Sequence, residues 1–126
     1  MPAMTLLEPS VPGAAPSEAN FGPLVIRPNE GLALAGGEAL HLSVREFGLL
    51  AELARNDGRI VRREDLYGLV WSAPLREGDR TVDVYVRRIR VKLAAALPTW
   101  TFIHTHVGFG YRFAPRDRLG DEGSED

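Results

Sequence analysis

The chain has 126 residues, 15 Lys and Arg against 17 Asp and Glu, and no cysteine. That length fits one domain with tails, and the lack of cysteine excludes disulfides, thiolate metal sites and thiol nucleophiles, as suits a reducing cytoplasm. A net charge of −2 points to no nucleic-acid partner by itself, and no apolar run approaches the roughly 18 residues that cross a bilayer.

Residues 1–20, MPAMTLLEPSVPGAAPSEAN, are rich in Pro, Ala and Ser and lack the basic-then-apolar layout of a secretory signal. They read as a flexible leader or linker remnant. Residues 116–126 are acidic and apolar-poor and read as a disordered tail, which leaves 21–115 as the folded domain. FGPLVIRP, GLALAG and EALHLS, separated by Asn29-Glu30-Gly31 and Gly36-Gly37, predict a small antiparallel meander. In SVREFGLLAELARNDG, Ser43 and Glu46 have capping-box spacing ahead of Val44, Phe47, Leu50 and Ala54, and Asn56-Asp57-Gly58 marks the end of a first helix.

GRIV suits one short strand. RREDLYGLVW, with Leu66, Leu69 and Val70, suits a second helix whose cap position holds Arg62, a residue unable to accept a backbone hydrogen bond. A loop follows: Ser72, Ala73, Pro74, Leu75, Arg76, Glu77, Gly78 and Asp79, the last placed to cap what comes next. RTVDVYVRRIRVKL then holds five cations in fourteen positions, 80–93. On a helical wheel Val82, Val86, Ile89, Leu93 and Ala96 share one side within about 40°. Arg80, Val84, Arg87 and Val91 share the other, flanked by Thr81 and Arg88. Arginines with exposed valines between them suit the major groove, where guanidinium forks reach phosphates or guanine edges and small apolar groups meet thymine methyls. Asp83, one turn before Arg87, predicts an i,i+4 pair that would hold that guanidinium. WTFIHTHVGFGYRF closes the chain's patterned region as a hairpin turning at Gly108 and Gly110.

Three helices and a glycine-turned hairpin predict an α+β winged helix-turn-helix. LSVREFGLLAELARNDGRIVRREDL with VW, RTVDVYVRRIRVKL and GFGYRF resemble the effector domain of the OmpR/PhoB class of two-component response regulators, over residues 21–114. The resemblance implies a four-stranded amino-terminal antiparallel sheet, three helices and a C-terminal β-hairpin wing. It also implies double-stranded promoter DNA as partner, tandem dimers on direct repeats, and RNA polymerase contact through the loop 72–79. It places Arg80, Thr81, Val84, Tyr85, Arg87, Arg88 and Arg90 of the third helix, and Thr105, His106, Gly108 and Tyr111 of the wing, at DNA. Trp71 suits a phosphate contact or the core equally, as does Tyr111.

Two departures stand out. Thr105-His106-Val107 lacks the arginine that such wings carry before the first glycine, which implies a weaker wing contribution. No receiver segment with a phosphoacceptor aspartate is present, so the sequence reads as an effector module excised from a longer protein or as a free-standing regulator. His104 and His106, two apart in a strand, invite a zinc reading, but no third ligand is identified, so no metal and no cofactor is expected. No nucleophile–base set has a motif behind it, and the chain reads as a non-enzyme. The competing reading is a winged-helix module for protein contact, with Val84 and Val91 buried against a partner.

Overall fold

The structure, a computed structural model, describes residues 18–119. Four short strands come first: β1 (Ala19–Phe21), β2 (Leu24–Arg27), β3 (Leu32–Ala35) and β4 (Glu38–Ala39). They form one antiparallel sheet in that order, with Leu24 opposite Ala35 and Leu34 opposite Ala39. FGPLVIRP, one segment on sequence pattern, is two strands because Gly22 turns the chain at φ +63°. Three helices follow, α1 (Val44–Arg55), α2 (Arg63–Trp71) and α3 (Thr81–Ala96), and then a hairpin of β6 (Trp100–His106) and β7 (Gly110–Asp117). The folded elements thus take in Ala19 and Asn20 from the expected leader and Arg116 and Asp117 from the expected tail. The remainder of both, 1–17 and 120–126, lies outside the described residues.

Each helix start reflects its local sequence. The Ser43 hydroxyl accepts from the Glu46 amide at 3.1 Å, and Glu46 Oε1 accepts from the Ser43 amide at 2.9 Å, completing the capping box. For α2, Arg62 stands at the cap position and makes no side-chain cap bond. Asp79 accepts from both the amide and the hydroxyl of Thr81, at 2.8 and 2.5 Å, and so anchors the first residue of α3. Those two bonds, the hydroxyl first, hold the Asp79 carboxyl below its ordinary pKa.

The core joins Leu24 and Ile26 of the first sheet to Leu49, Leu50 and Leu53 of α1, Leu66 of α2, the stripe of α3, and Phe102 and Phe113 of the hairpin. Three positions expected on buried stripes are outside it. Val44 is 85% exposed, because the stripe of α1 runs through Glu46, Leu49, Leu50, Leu53 and Ala54 instead. Leu69 is 58% exposed and Ala96 is exposed as well.

GRIV does contain a strand, β5 (Ile60–Arg62), and it pairs antiparallel with β7 to make a three-stranded sheet of order β5-β7-β6. This pairing sets Arg62 opposite Gly110. Gly110 is required there: a Cβ would lie 2.1 Å from the Val61 carbonyl oxygen, with φ at +155° besides. Gly108, at φ +83°, has open space around its Cα and answers only to the turn. Gly110→Ala is therefore expected to destabilise the fold by more than about 3 kcal/mol, through backbone collision and strain. Gly108→Ala should cost only about 1–2 kcal/mol, the left-handed penalty alone. Urea unfolding of the two variants, followed by tryptophan fluorescence, checks the contrast.

Candidate nucleic-acid interface

Helix α3 is held by its apolar side. Val82, Val86, Ile89 and Leu93 are all buried, in agreement with the helical wheel. The opposite side therefore faces solvent: Arg87 and Arg88 are exposed, Val84 is 43% exposed and Val91 61%. A shallow groove of about 600 Å³ runs along this side, lined by Val84, Arg87, Arg88, Val91, Lys92 and Glu46. Tyr85, half-buried, stands edge-on to Trp71, and the Arg88 guanidinium lies 5.0 Å over its ring. Trp71 stacks on Tyr67 and carries Arg45 over its outer face at 5.4 Å. Tyr85 thus works as a platform that aims Arg88.

The remaining cations of the helix are engaged inside the protein. Arg90 donates from Nε and Nη2 to the Ile103 carbonyl, at 3.1 and 2.9 Å, and from Nη2 to the Thr105 hydroxyl at 2.7 Å. Arg90, expected as a phosphate ligand, thus uses two of its guanidinium nitrogens to fasten α3 to β6. Lys92 donates to the His41 carbonyl at 2.8 Å and to Glu46 at 2.7 Å. Burial alone would raise the pKa of Glu46, but the Lys92 and Ser43 hydrogen bonds and the charges of Lys92 and Arg88 outweigh it and hold the carboxyl below its ordinary value. Helix α1 is tied to α3 by that pair.

Asp83 does not pair with Arg87. Its carboxylate meets three other groups: the Tyr111 hydroxyl donates to Oδ1, while Arg63 Nη2 and Arg80 Nε lie 3.1 and 2.9 Å from Oδ2. The guanidinium contacts at Oδ2 have ion-pair distance without hydrogen-bond alignment, so they act chiefly as charge neutralisation. One carboxylate thereby joins α2, the start of α3 and the wing. Arg80 still exposes 71% of its side chain to solvent.

The other expected wing residues divide in the same way. Tyr111, expected at DNA or in the core, is buried, with its hydroxyl donating to Asp83 and Arg90 above its ring. Thr105 is exposed and accepts from Arg90, whereas the Thr81 hydroxyl donates to Asp79. His106 Nε2 accepts from Arg112 Nε at 3.0 Å. His104 Nε2 meets the Ala114 carbonyl at 2.8 Å, and no group of three potential metal ligands occurs among the described residues. Gly108 lies at the exposed tip. In the loop 72–79, Leu75 and Asp79 are half-buried and the others exposed.

A cleft of about 640 Å³ lies between the hairpin tip and the starts of α2 and α3. Arg62, Arg63 and Arg80 line it together with Asp83, Glu64 and the tip, three guanidinium groups against two carboxylates. Arg62 and Arg63 are candidate functional residues that sequence reading missed. Their signal is there as adjacent arginines before α2, but it becomes meaningful only once β5 pairs with β7 and brings them beside the wing.

A helix with a solvent-facing cationic side, backed by two others and flanked by a glycine-turned hairpin, defines a winged helix-turn-helix. The chain belongs to the family described as "Transcriptional regulatory protein, C terminal", which matches residues 37–113 and is the OmpR/PhoB type of effector domain. It is similar to the transcriptional regulatory protein AfsQ1 of Streptomyces coelicolor, 38% identical over 97 residues, which cover 77% of this chain and 43% of that one. The chain thus spans less than half the length of that relative. Among solved structures it is similar to the RstA DNA-binding domain of Klebsiella pneumoniae in complex with the RstA box, with a TM-score of 0.70 and 35% identity over 77% of this chain and 96% of that one. It is also similar to the DNA-binding domain of CpxR from E. coli, with a TM-score of 0.73 and 30% identity over 79% and 97%.

The Tyr111–Asp83 contact carries a pH signature. Burial first, then the hydrogen bond to Asp83 and its negative charge, push the Tyr111 hydroxyl up to about 12. An unfolded tyrosine ionises near ~10, so the stabilisation is fully present below that pH and is lost as pH rises through about 12. Tyr111→Phe is expected to lower stability at neutral pH by about 1 kcal/mol. The gap between variant and parent should shrink above pH ~10, where the parent begins to lose the contribution. Urea titrations from neutral to strongly alkaline pH measure both.

Proposed function

We propose that this chain is the sequence-specific, double-stranded-DNA-binding effector module of a transcription regulator, with α3 entering the major groove. The observation that carries the proposal is the free side of α3, where Arg87 and Arg88 stand exposed beside Val84 and Val91 while the other side is locked into the core. The RstA domain, which was solved with its DNA box, supports the same reading. Arg87 reads a base edge or holds a phosphate, and Arg88 does so from its Tyr85 platform. Val84 and Val91 meet thymine methyls. Arg80, with Arg62 and Arg63 across the cleft, takes the phosphates of the strand that borders the groove. Arg90, Thr81 and Tyr111 position these elements and do not touch bases. Thr105, His106 and Gly108 bring the wing to the backbone.

The parent protein is, on this proposal, a response regulator with a receiver domain, working in the cytoplasm as a tandem dimer on direct repeats. Ser72–Asp79 is its surface for RNA polymerase, since most of that loop is exposed and no core contact requires its length. No helix of the described residues is long and apolar enough to cross a membrane.

The test is a duplex titration with sequences selected from a random pool. Arg87→Ala and Arg88→Ala should each cost about 1–3 kcal/mol of binding free energy, and a base-reading arginine should also relax sequence preference at its position. Arg62→Ala should weaken binding evenly across sequences and reduce the salt slope by about one unit. If neither α3 variant changes duplex binding, or if Val84 and Val91 become protected only by a protein partner, the interface belongs to protein contact instead.

A further inference from the structure

Five phenylalanines occur in the chain, and four of them are buried or half-buried. The fifth, Phe109, stands at the turn between β6 and β7 and is 71% exposed. Its neighbour across Gly108, Val107, is 87% exposed. The turn is closed by the Phe109 amide donating to the His106 carbonyl at 2.8 Å, so the two side chains are displayed from a fixed point. The fold makes no use of them, for neither joins the core. A hairpin tip that needed only solubility would carry polar groups.

Position gives the pair a partner. The tip forms part of the cleft whose cations are Arg62, Arg63 and Arg80, and Arg80 immediately precedes α3. When α3 occupies a major groove, the strand bordering that groove falls to the cationic cleft. The groove on the far side of a strand from a major groove is a minor groove. The tip, across the cleft from α3, therefore meets the minor groove, and it meets it with apolar groups. Apolar side chains in that position act as wedges that part a base step and kink the duplex.

Resting on the reading of α3 given above, we infer that Phe109, seconded by Val107, is an apolar wedge that enters the minor groove beside the site and partly unstacks one base step. The wing so built recognises deformability: flexible pyrimidine–purine steps should be favoured at the wedge position over stiff A-tracts. An arginine in place of Val107 would favour the opposite, a narrow and strongly negative groove.

The experiment uses a duplex selected on the parent chain from a random pool, with fluorophores at its ends to report bending and 2-aminopurine placed in turn along the flank to report unstacking. The parent and Phe109→Leu should bend the duplex by about 20° or more and brighten one 2-aminopurine position. Phe109→Ala should bind about tenfold more weakly, leave the duplex nearly straight and leave every position dark. If Phe109→Ala binds and the bend and the bright position persist, the wedge is wrong while the reading of α3 stands. If the loss in Phe109→Ala is confined to assembly of two copies on one duplex, seen by sedimentation, the tip contacts a second copy and the wedge is again wrong. If the parent binds no duplex, both inferences fall together.

Discussion

A single carboxylate sets the geometry of the candidate interface. Asp83 stands in the first turn of α3, where a negative charge also suits the helix dipole, and it accepts from Tyr111 while neutralising Arg63 and Arg80. Its side chain is only 16% exposed, so the carboxylate itself is held largely out of water, although Arg80 keeps most of its side chain in solvent. Helix, wing and the start of α2 cannot shift independently without stranding one of these groups. Such a triangle is a positioning device: it fixes where the outward arginines of α3 stand relative to the hairpin tip.

Charge in the α3 segment therefore has two uses. Of the five cations between positions 80 and 93, Arg90 and Lys92 bind carbonyl and carboxylate groups of the protein itself. Arg80 is shared between Asp83 and solvent. Arg87 and Arg88 face outward, and of the five they alone are exposed and in no salt bridge among the described residues. A basic segment in a slightly acidic chain is thus part scaffold and part outward face, and the partners that the fold brings to each cation tell the two apart.

That division explains what could be read from sequence. The stripe Val82, Val86, Ile89, Leu93 and the capping box at Ser43 depend on spacing within one helix, and spacing is written in the chain. Partners across the fold are not. Asp83 has Arg87 one turn on along its own helix, yet it joins Arg63, brought near by α2, and Tyr111, brought near by the wing. Arg62 gains its place from the pairing of β5 with β7, a contact between residues some fifty positions apart in sequence. Val44 failed as a core residue for a simpler reason: the buried side of α1 includes a glutamate, Glu46, whose charge is met by Lys92 and whose presence disguises the true stripe.

The Arg90 contact has a further meaning for the sheet. Strand β6 lies at one margin of its sheet, and a bare margin offers unpaired carbonyls to any extended peptide that drifts past. By placing its guanidinium on the Ile103 carbonyl and the Thr105 hydroxyl, Arg90 occupies that margin midway along the strand. The same side chain that fastens the helix thus occupies a carbonyl that an added strand would need.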